Sequence, residues 1–200
     1  MTKRYIITLM AANRVGILSA VTTGLAELGA NLMEVSQTVL NGFFTIILDA
    51  EFPGHRSPDV IVAHLKDFCR PYGVEIDLKD PEEEELQNMT EGDFERFFLT
   101  VTGNDEPGMI RQISARISQE GIDISDLYAK RQPDTSFVMV MELSVPLGID
   151  VLVLKNDLEA VCIKEGLTVT LQHENIFAAT NDPRPIRLLP VKAVHDLYAE

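Results

Sequence analysis

The chain repeats itself, and that restricts its fold more than any motif it contains. Residues 5–10 lie over residues 97–102 at an offset of 92, which also matches Thr8 with Thr100, Gly16 with Gly108, Gly29 with Gly121 and Asn31 with Asp123. One residue is inserted near Asp134, and at an offset of 93 Phe44 then matches Phe137, Pro53 Pro146, Leu65 Leu158, Cys69 Cys162 and Gly73 Gly166. A register held over about 75 residues with one gap marks a duplicated structural unit. A chain of 200 residues therefore reads as two small domains, each with a core of its own.

Each unit carries the same order of signals. An apolar run near 4–10 reads as a buried strand that ends in a polar loop and Gly16. Leu18, Val21, Leu25 and Leu28 recur at helical spacing, as do Ile110, Ile113 and Ile117, and Gly29 and Gly121 stand where a helix end needs a left-handed residue. Strands over about 31–40 and 43–52 are joined at Asn41-Gly42, a hairpin signal because both central positions of a type I′ turn need positive φ. Ser57-Pro58 opens a second helix whose face is Ile61, Leu65, Phe68 and Cys69, mirrored by Leu154, Leu158, Val161 and Cys162. A last strand covers about 74–79, or 167–173. The order β-α-β-β-α-β predicts an α+β protein of two ferredoxin-like domains, with antiparallel sheets and helices on one face. The domains are expected at 1–80 and 96–174, joined by an acidic linker at 81–95 and followed by a tail at 175–200, in which a helix is expected near 191–198.

The net charge of −14 argues against direct binding to nucleic acid, whose affinity rests on phosphate contacts, and against an anionic membrane surface. Over half of it comes from eight acidic residues between Asp80 and Glu95, which read as solvated spacer. The opening ten residues imitate a signal peptide, but their twin lies mid-chain, and no run reaches the ~18 apolar residues of a membrane span. Two cysteines cannot build a disulfide framework, so a cytoplasmic protein is expected.

Chemistry is sought first in the loop after strand one: Asn13-Arg14-Val15-Gly16 before Ile17, and Asn104-Asp105-Glu106-Pro107-Gly108 before Met109. Unpaired N–H groups and the positive end of a helix dipole meet there, and glycine lets an anion approach the backbone. Asn31-Leu32 and Asp123-Ile124 open strand two and are expected across the same end of the sheet, where a side-chain oxygen can accept from an ammonium group. Loop and strand together complement a zwitterion. The plainer account is that Gly16 and Gly108 ease a tight turn, with Asn13 and Asp105 as N-cap-like residues.

These motifs, with Gly29-Ala30-Asn31-Leu32 and Gly121-Ile122-Asp123-Ile124 behind the loops, resemble the ACT domain, a module that senses small molecules, usually amino acids, and regulates amino-acid metabolism. The resemblance covers about 4–79 and 96–174, and two such domains without an attached enzyme look like the glycine cleavage system transcriptional repressor group. It implies side-by-side pairing of domains, a ligand between one domain's loop and its neighbour's, and ligand-contacting asparagines at Asn13 and Asn31, replaced in the second unit by Asp105 and Asp123. Val15 stands where the family loop usually has proline, and the paired carboxylates of the second unit make the first the better site for a neutral amino acid.

The resemblance implies a non-catalytic regulator that binds a small amino acid, with glycine or serine as first candidates. It needs no cofactor, is a homodimer, and acts through protein contacts, reaching transcription through a transcription-factor partner. A ligand-independent interaction protein and a regulatory subunit of an amino-acid enzyme are the alternatives. His55, His64, His173 and His195 show no metal-ligand spacing, and Asp123 with Asp126 reads as solvated acid in preference to a cation site. Cys69 and Cys162 read as buried inert thiols. Phe43 and Phe44 on the third strand read as core in preference to RNA-stacking aromatics.

Overall fold

A computed structural model describes residues 2–83, 93–133, 136–163 and 166–181. The inserted residue near Asp134, most of the acidic linker and the helix expected at 191–198 lie outside them. The chain divides into two units, Met1–Gln87 and Asn88–Glu200.

In the first unit the elements are β1 (Thr2–Ala12), α1 (Ile17–Glu27), β2 (Asn31–Leu40), β3 (Phe43–Pro53), α2 (Pro58–Phe68) and β4 (Glu75–Lys79), with a short 3-10 turn at Arg70–Tyr72. The second unit repeats them as β5 (Phe94–Asn104), α3 (Met109–Gln119), β6 (Asp123–Arg131), β7 (Ser136–Pro146), α4 (Val151–Ile163) and β8 (Thr168–His173), then adds α5 (Glu174–Asn181). The sheets are antiparallel, ordered β2-β3-β1-β4 and β6-β7-β5-β8. Even the register is duplicated. Ile7 opposes Leu48, and Leu99 opposes Met141, the same pair moved by the two sequence offsets.

The period-2 alternation of the strands sends Tyr5, Ile7, Leu9, Phe44, Ile46, Leu48 and Phe52 to one face, where Val21, Leu25, Ile61 and Leu65 of the helices close a buried core. The second core is built alike from Leu99, Val101, Ile113, Ile117, Met139, Met141, Leu154 and Leu158. At roughly 1.5–3 kcal/mol per large apolar side chain, each core is the main favourable term of its unit.

Local signals explain the corners. Asn41 and Gly42 have φ of +49° and +82°, as a type I′ turn requires. α1 ends in a Schellman arrangement, the Gly29 amide donating to Ala26 at 2.9 Å and the Ala30 amide to Leu25 at 3.0 Å, and Gly121 and Ile122 repeat it after α3. Three expectations are corrected. β1 begins at Thr2, and β5 begins at Phe94, so the last two residues assigned to the linker are sheet. Helix α5 follows β8 at once, so the segment assigned to the tail begins as helix, where a helix was expected only near 191–198. Asn13 and Asp105 cap nothing: the N-caps are Gly16 and Gly108, and neither helix has a side-chain cap.

Candidate functional site

The loop after β1 rises directly from the central strand pair. The Asn13 amide donates to Gly42 O at 2.7 Å, tying the loop to the β2–β3 hairpin tip. Gly16 then takes φ +94° and starts α1; Gly108 takes φ +91° and starts α3. The backbone closes the turn itself, with Ile17 N donating to Arg14 O at 3.3 Å and Met109 N to Glu106 O at 3.4 Å. Beyond Ile17 N and Met109 N, which that turn uses, no side chain caps the remaining first-turn amides of either helix, which leaves them to an outside acceptor. Ile17 and Met109 are buried core residues, whereas Asn13, Arg14, Val15, Asn104, Asp105, Glu106 and Pro107 are exposed around the turn.

The second half of each expected cradle is elsewhere. Asn31 opposes Glu51, which opposes Arg4 near the start of β1, whereas the loop leaves the far end of β1 after Ala12, paired with Phe43. Eight residues of strand separate the two ends, about 26 Å at 3.3 Å per residue. The second unit behaves alike, with Asp123 opposite Ser144 and Ser144 opposite Arg96, while Asn104 opposes Ser136. The expectation that loop and strand-two residues share one end of a sheet is therefore corrected. An α-helix packed antiparallel to β1 returns the chain to where β1 began. Leu32 and Ile124 are half-buried against the cores, and Asn31 and Asp123 are exposed, each one residue before a β-bulge interval (Leu32/Glu34 and Ile124/Asp126).

The two loops are not equivalent. Arg14 Nη1 donates to Pro71 O at 3.1 Å, binding the first loop to the 3-10 turn. On that turn Tyr72 lays its hydroxyl where a Gly16 Cβ would stand, 2.6 Å away. Gly108 has no such neighbour within 4 Å. Sequence reasoning missed Tyr72; the only signal was that its repeat counterpart, Glu165, is unlike it. In the second loop Asp105 Oδ2 lies 3.6 Å from Arg131 Nε at the end of β6, so a cation offsets one of the two carboxylates assigned to that site.

Other groups resolve into structure. Cys69 and Cys162 are free and buried at matching helix ends, and burial pushes both thiols up, Cys162 to about 11. Phe44 and Phe137 are core, but the reading of Phe43 as core is corrected: at the start of β3, beside the hairpin, it faces away from the helices and is exposed. His64 lies 3.3 Å from Glu27 between the helices and against Phe68. Among the described residues no three His, Cys, Asp or Glu side chains gather as a metal site, and no helix is long and apolar enough to cross a membrane.

Comparison with known proteins agrees with the duplication. A family model described as the ACT domain matches residues 3–79 and again 95–172. A UPF0237 protein of Methanosarcina acetivorans is 34% identical over 79 residues, 39% of this chain and 86% of that protein. One from Methanosarcina mazei is 42% identical over 52 residues, 26% of this chain, and the match spans only 56% of that protein. Among solved structures, an unknown protein from Galdieria sulphuraria covers 86% of this chain and 99% of its own, with a TM-score of 0.72 at 19% identity. A structure provisionally named a glycine cleavage system transcriptional repressor covers 86% and 98%, with a TM-score of 0.61 at 17% identity. At those identities the two structures establish the shared tandem fold.

Proposed function

Because this chain belongs to the ACT-domain family, with two copies of the domain in tandem, we propose that it is a regulatory protein that senses a small amino acid. The observation that carries the reading is the pair of uncapped helix N-termini entered through left-handed glycines at Gly16 and Gly108. The ligand's carboxylate accepts from the first-turn amides, which the helix dipole favours. Its ammonium group needs an oxygen acceptor, and Asn31 or Asp123 of the same domain, about 26 Å from the loop at 3.3 Å per residue, is out of reach. We assign that acceptor to Asn31 or Asp123 of a second copy of the chain, so a homodimer completes the site. Asn13 and Asn31 offer uncharged partners, which makes the first unit the better site for a neutral amino acid, with glycine and serine as first candidates.

The protein catalyses no reaction of its own in this reading and carries its signal through protein contacts. Control of transcription, including that of glycine cleavage, would pass through a partner protein, since the charge of −14 disfavours direct contact with DNA. Charge-assisted hydrogen bonds contribute roughly 1.5–3 kcal/mol each. Three or four of them, less the cost of association, leave a dissociation constant of about micromolar to millimolar, suited to a metabolite.

A thermal-shift screen of the twenty amino acids tests the reading. A ligand that binds only the folded chain stabilises it by about 2.7 kcal/mol at a hundred times its dissociation constant. Glycine or serine is expected to raise the midpoint, and a flat response to all twenty at millimolar concentrations would leave the interaction-protein alternative. Calorimetry then ranks the sites: Asn31→Ala is expected to lose the tighter site, and unchanged binding by it with loss in Asp123→Ala would reverse the order.

A further inference from the structure

The two repeats differ in what lies on the sheet face away from the paired helices. In the second unit the chain leaves β8 and turns at once into α5, whose Phe177 stacks on Phe98 of β5 with ring centroids 4.1 Å apart and planes 15° from parallel. The repeat places Ile6 of β1 at the position of Phe98. Among the described residues of the first unit nothing takes the place of α5, because β4 ends in a turn instead of a helix. Asp80, nearly buried, is held by Lys3 at 2.7 Å and accepts from the Glu82 amide at 3.0 Å, and the Glu83 amide donates to Asp80 O at 3.1 Å.

Beside Ile6 is a hollow of about 270 Å³ bordered by Arg4, Glu34, Ser36, Ile47 and Asp49. The apolar surface continues along the same face through Ile47 (46% exposed), Met10 (42%) and Phe43 (56%). Strand register puts Glu34, Glu51, Glu75 and Asp77 around it, against Lys79 and an Arg4 guanidinium already engaged by Asp49. The border is acidic, and the floor is the apolar counterpart of a surface that the second repeat covers with a helix-borne aromatic ring.

We propose that the sheet face of the first unit opposite its helices docks an amphipathic helix of a partner protein, one that sets a single aromatic side chain against Ile6 and Ile47 and flanks it with lysine or arginine. The aromatic follows from the Phe177–Phe98 precedent, and the basic flanks from the carboxylates at the border. The inference rests on the reading that the chain acts through protein contacts, and it names the chemistry of the contact. It does not involve the amino-acid loops.

The test titrates the full ¹⁵N-labelled chain, without added amino acid, with a stapled helical peptide carrying one phenylalanine between lysines. Amide shifts are expected to concentrate in residues 4–8 and 45–49. Replacing the peptide's phenylalanine by alanine, or its lysines by glutamates, is expected to weaken binding about ten-fold or more, in line with the loss of a buried aromatic anchor or of charge complementarity. Ile47→Asp, at an exposed position, is expected to abolish binding. Glu34→Lys is expected to shift preference toward the glutamate peptide and serves as an independent readout should Ile47→Asp fold poorly. Absence of binding, equal affinity for both peptides, or shifts centred elsewhere would overturn the proposal. So would sedimentation showing a dimer that Ile47→Asp dissociates, since the face would then belong to a second copy. The thermal response of the unsubstituted chain to glycine is measured without the peptide, so the two readings fail separately.

Discussion

Gly16 and Gly108 occupy one position in the repeat and share one backbone conformation, yet their surroundings give them different sensitivities. An alanine at either must adopt a left-handed conformation that costs L-residues roughly 1–2 kcal/mol. At Gly16 the added methyl would also meet the Tyr72 hydroxyl at 2.6 Å, while Gly108 faces open space. Gly16→Ala is therefore expected to destabilise more than Gly108→Ala in chemical denaturation, and a Tyr72→Ala background is expected to remove the difference, as a double-mutant cycle would register. Asp80 supports a second prediction. Its carboxyl is held below the ordinary 3.8, chiefly by the hydrogen bond from Lys3, and the same bond raises Lys3 above 10.5. A carboxyl whose folded value lies below its unfolded one contributes stability above about pH 4, and the contribution is lost as pH falls through the lowered folded value. The lysine's share persists through neutrality and is lost only as pH rises through its raised value. Asp80→Asn is expected to lower stability at pH 7 and to flatten the acid limb of a pH–stability curve; an unchanged limb would show that the pair contributes nothing.

The helices and turns show how far local chemistry reaches. Ser57-Pro58 starts α2 as its residues suggest, with Ser57 extended at the N-cap, but its hydroxyl makes no capping bond. The matching corner of the second unit is better made, since Asp150 accepts from the amides of Leu152 at 3.0 Å and Val153 at 3.1 Å. Asp150→Ala is thus expected to cost about 1 kcal/mol, the usual loss of an N-cap, while Ser57→Ala is expected to change stability by a few tenths at most. Urea titrations of the two variants give the comparison. Strands were legible where one face is buried, because alternation then records the core, as in β1 and β3. β2 was legible only from the hairpin and the glycine before it, and β6 only from its place in the repeat: they are edge strands exposed along nearly their whole length, so burial imposes no pattern on them. α5 escaped because nothing in the repeat predicted it, the described residues of the first unit holding no equivalent.

For the molecule as a whole, sensing requires that ligand and assembly be linked. If an amino acid binds across two copies, it tightens their association by the factor by which association tightens its own binding. Sedimentation over a dilution series with and without glycine, set against calorimetry, is expected to return equal factors; an assembly constant indifferent to glycine would remove the dimer from the site. Residue order was enough to establish a duplicated β-α-β-β-α-β unit with glycine-ended turns at Gly16 and Gly108, because a repeat in register, buried faces and left-handed turn residues are all written locally. It took the folded chain to place those turns relative to Asn31 and Asp123, to set Tyr72 against one of them, and to stack Phe177 on Phe98 of the second sheet. The physical reason is the same in each case. Spacing along a chain states which residues share a face, but which end of the sheet they reach, and what packs on its far side, depends on the direction of the returning helix and on contacts between residues distant in sequence.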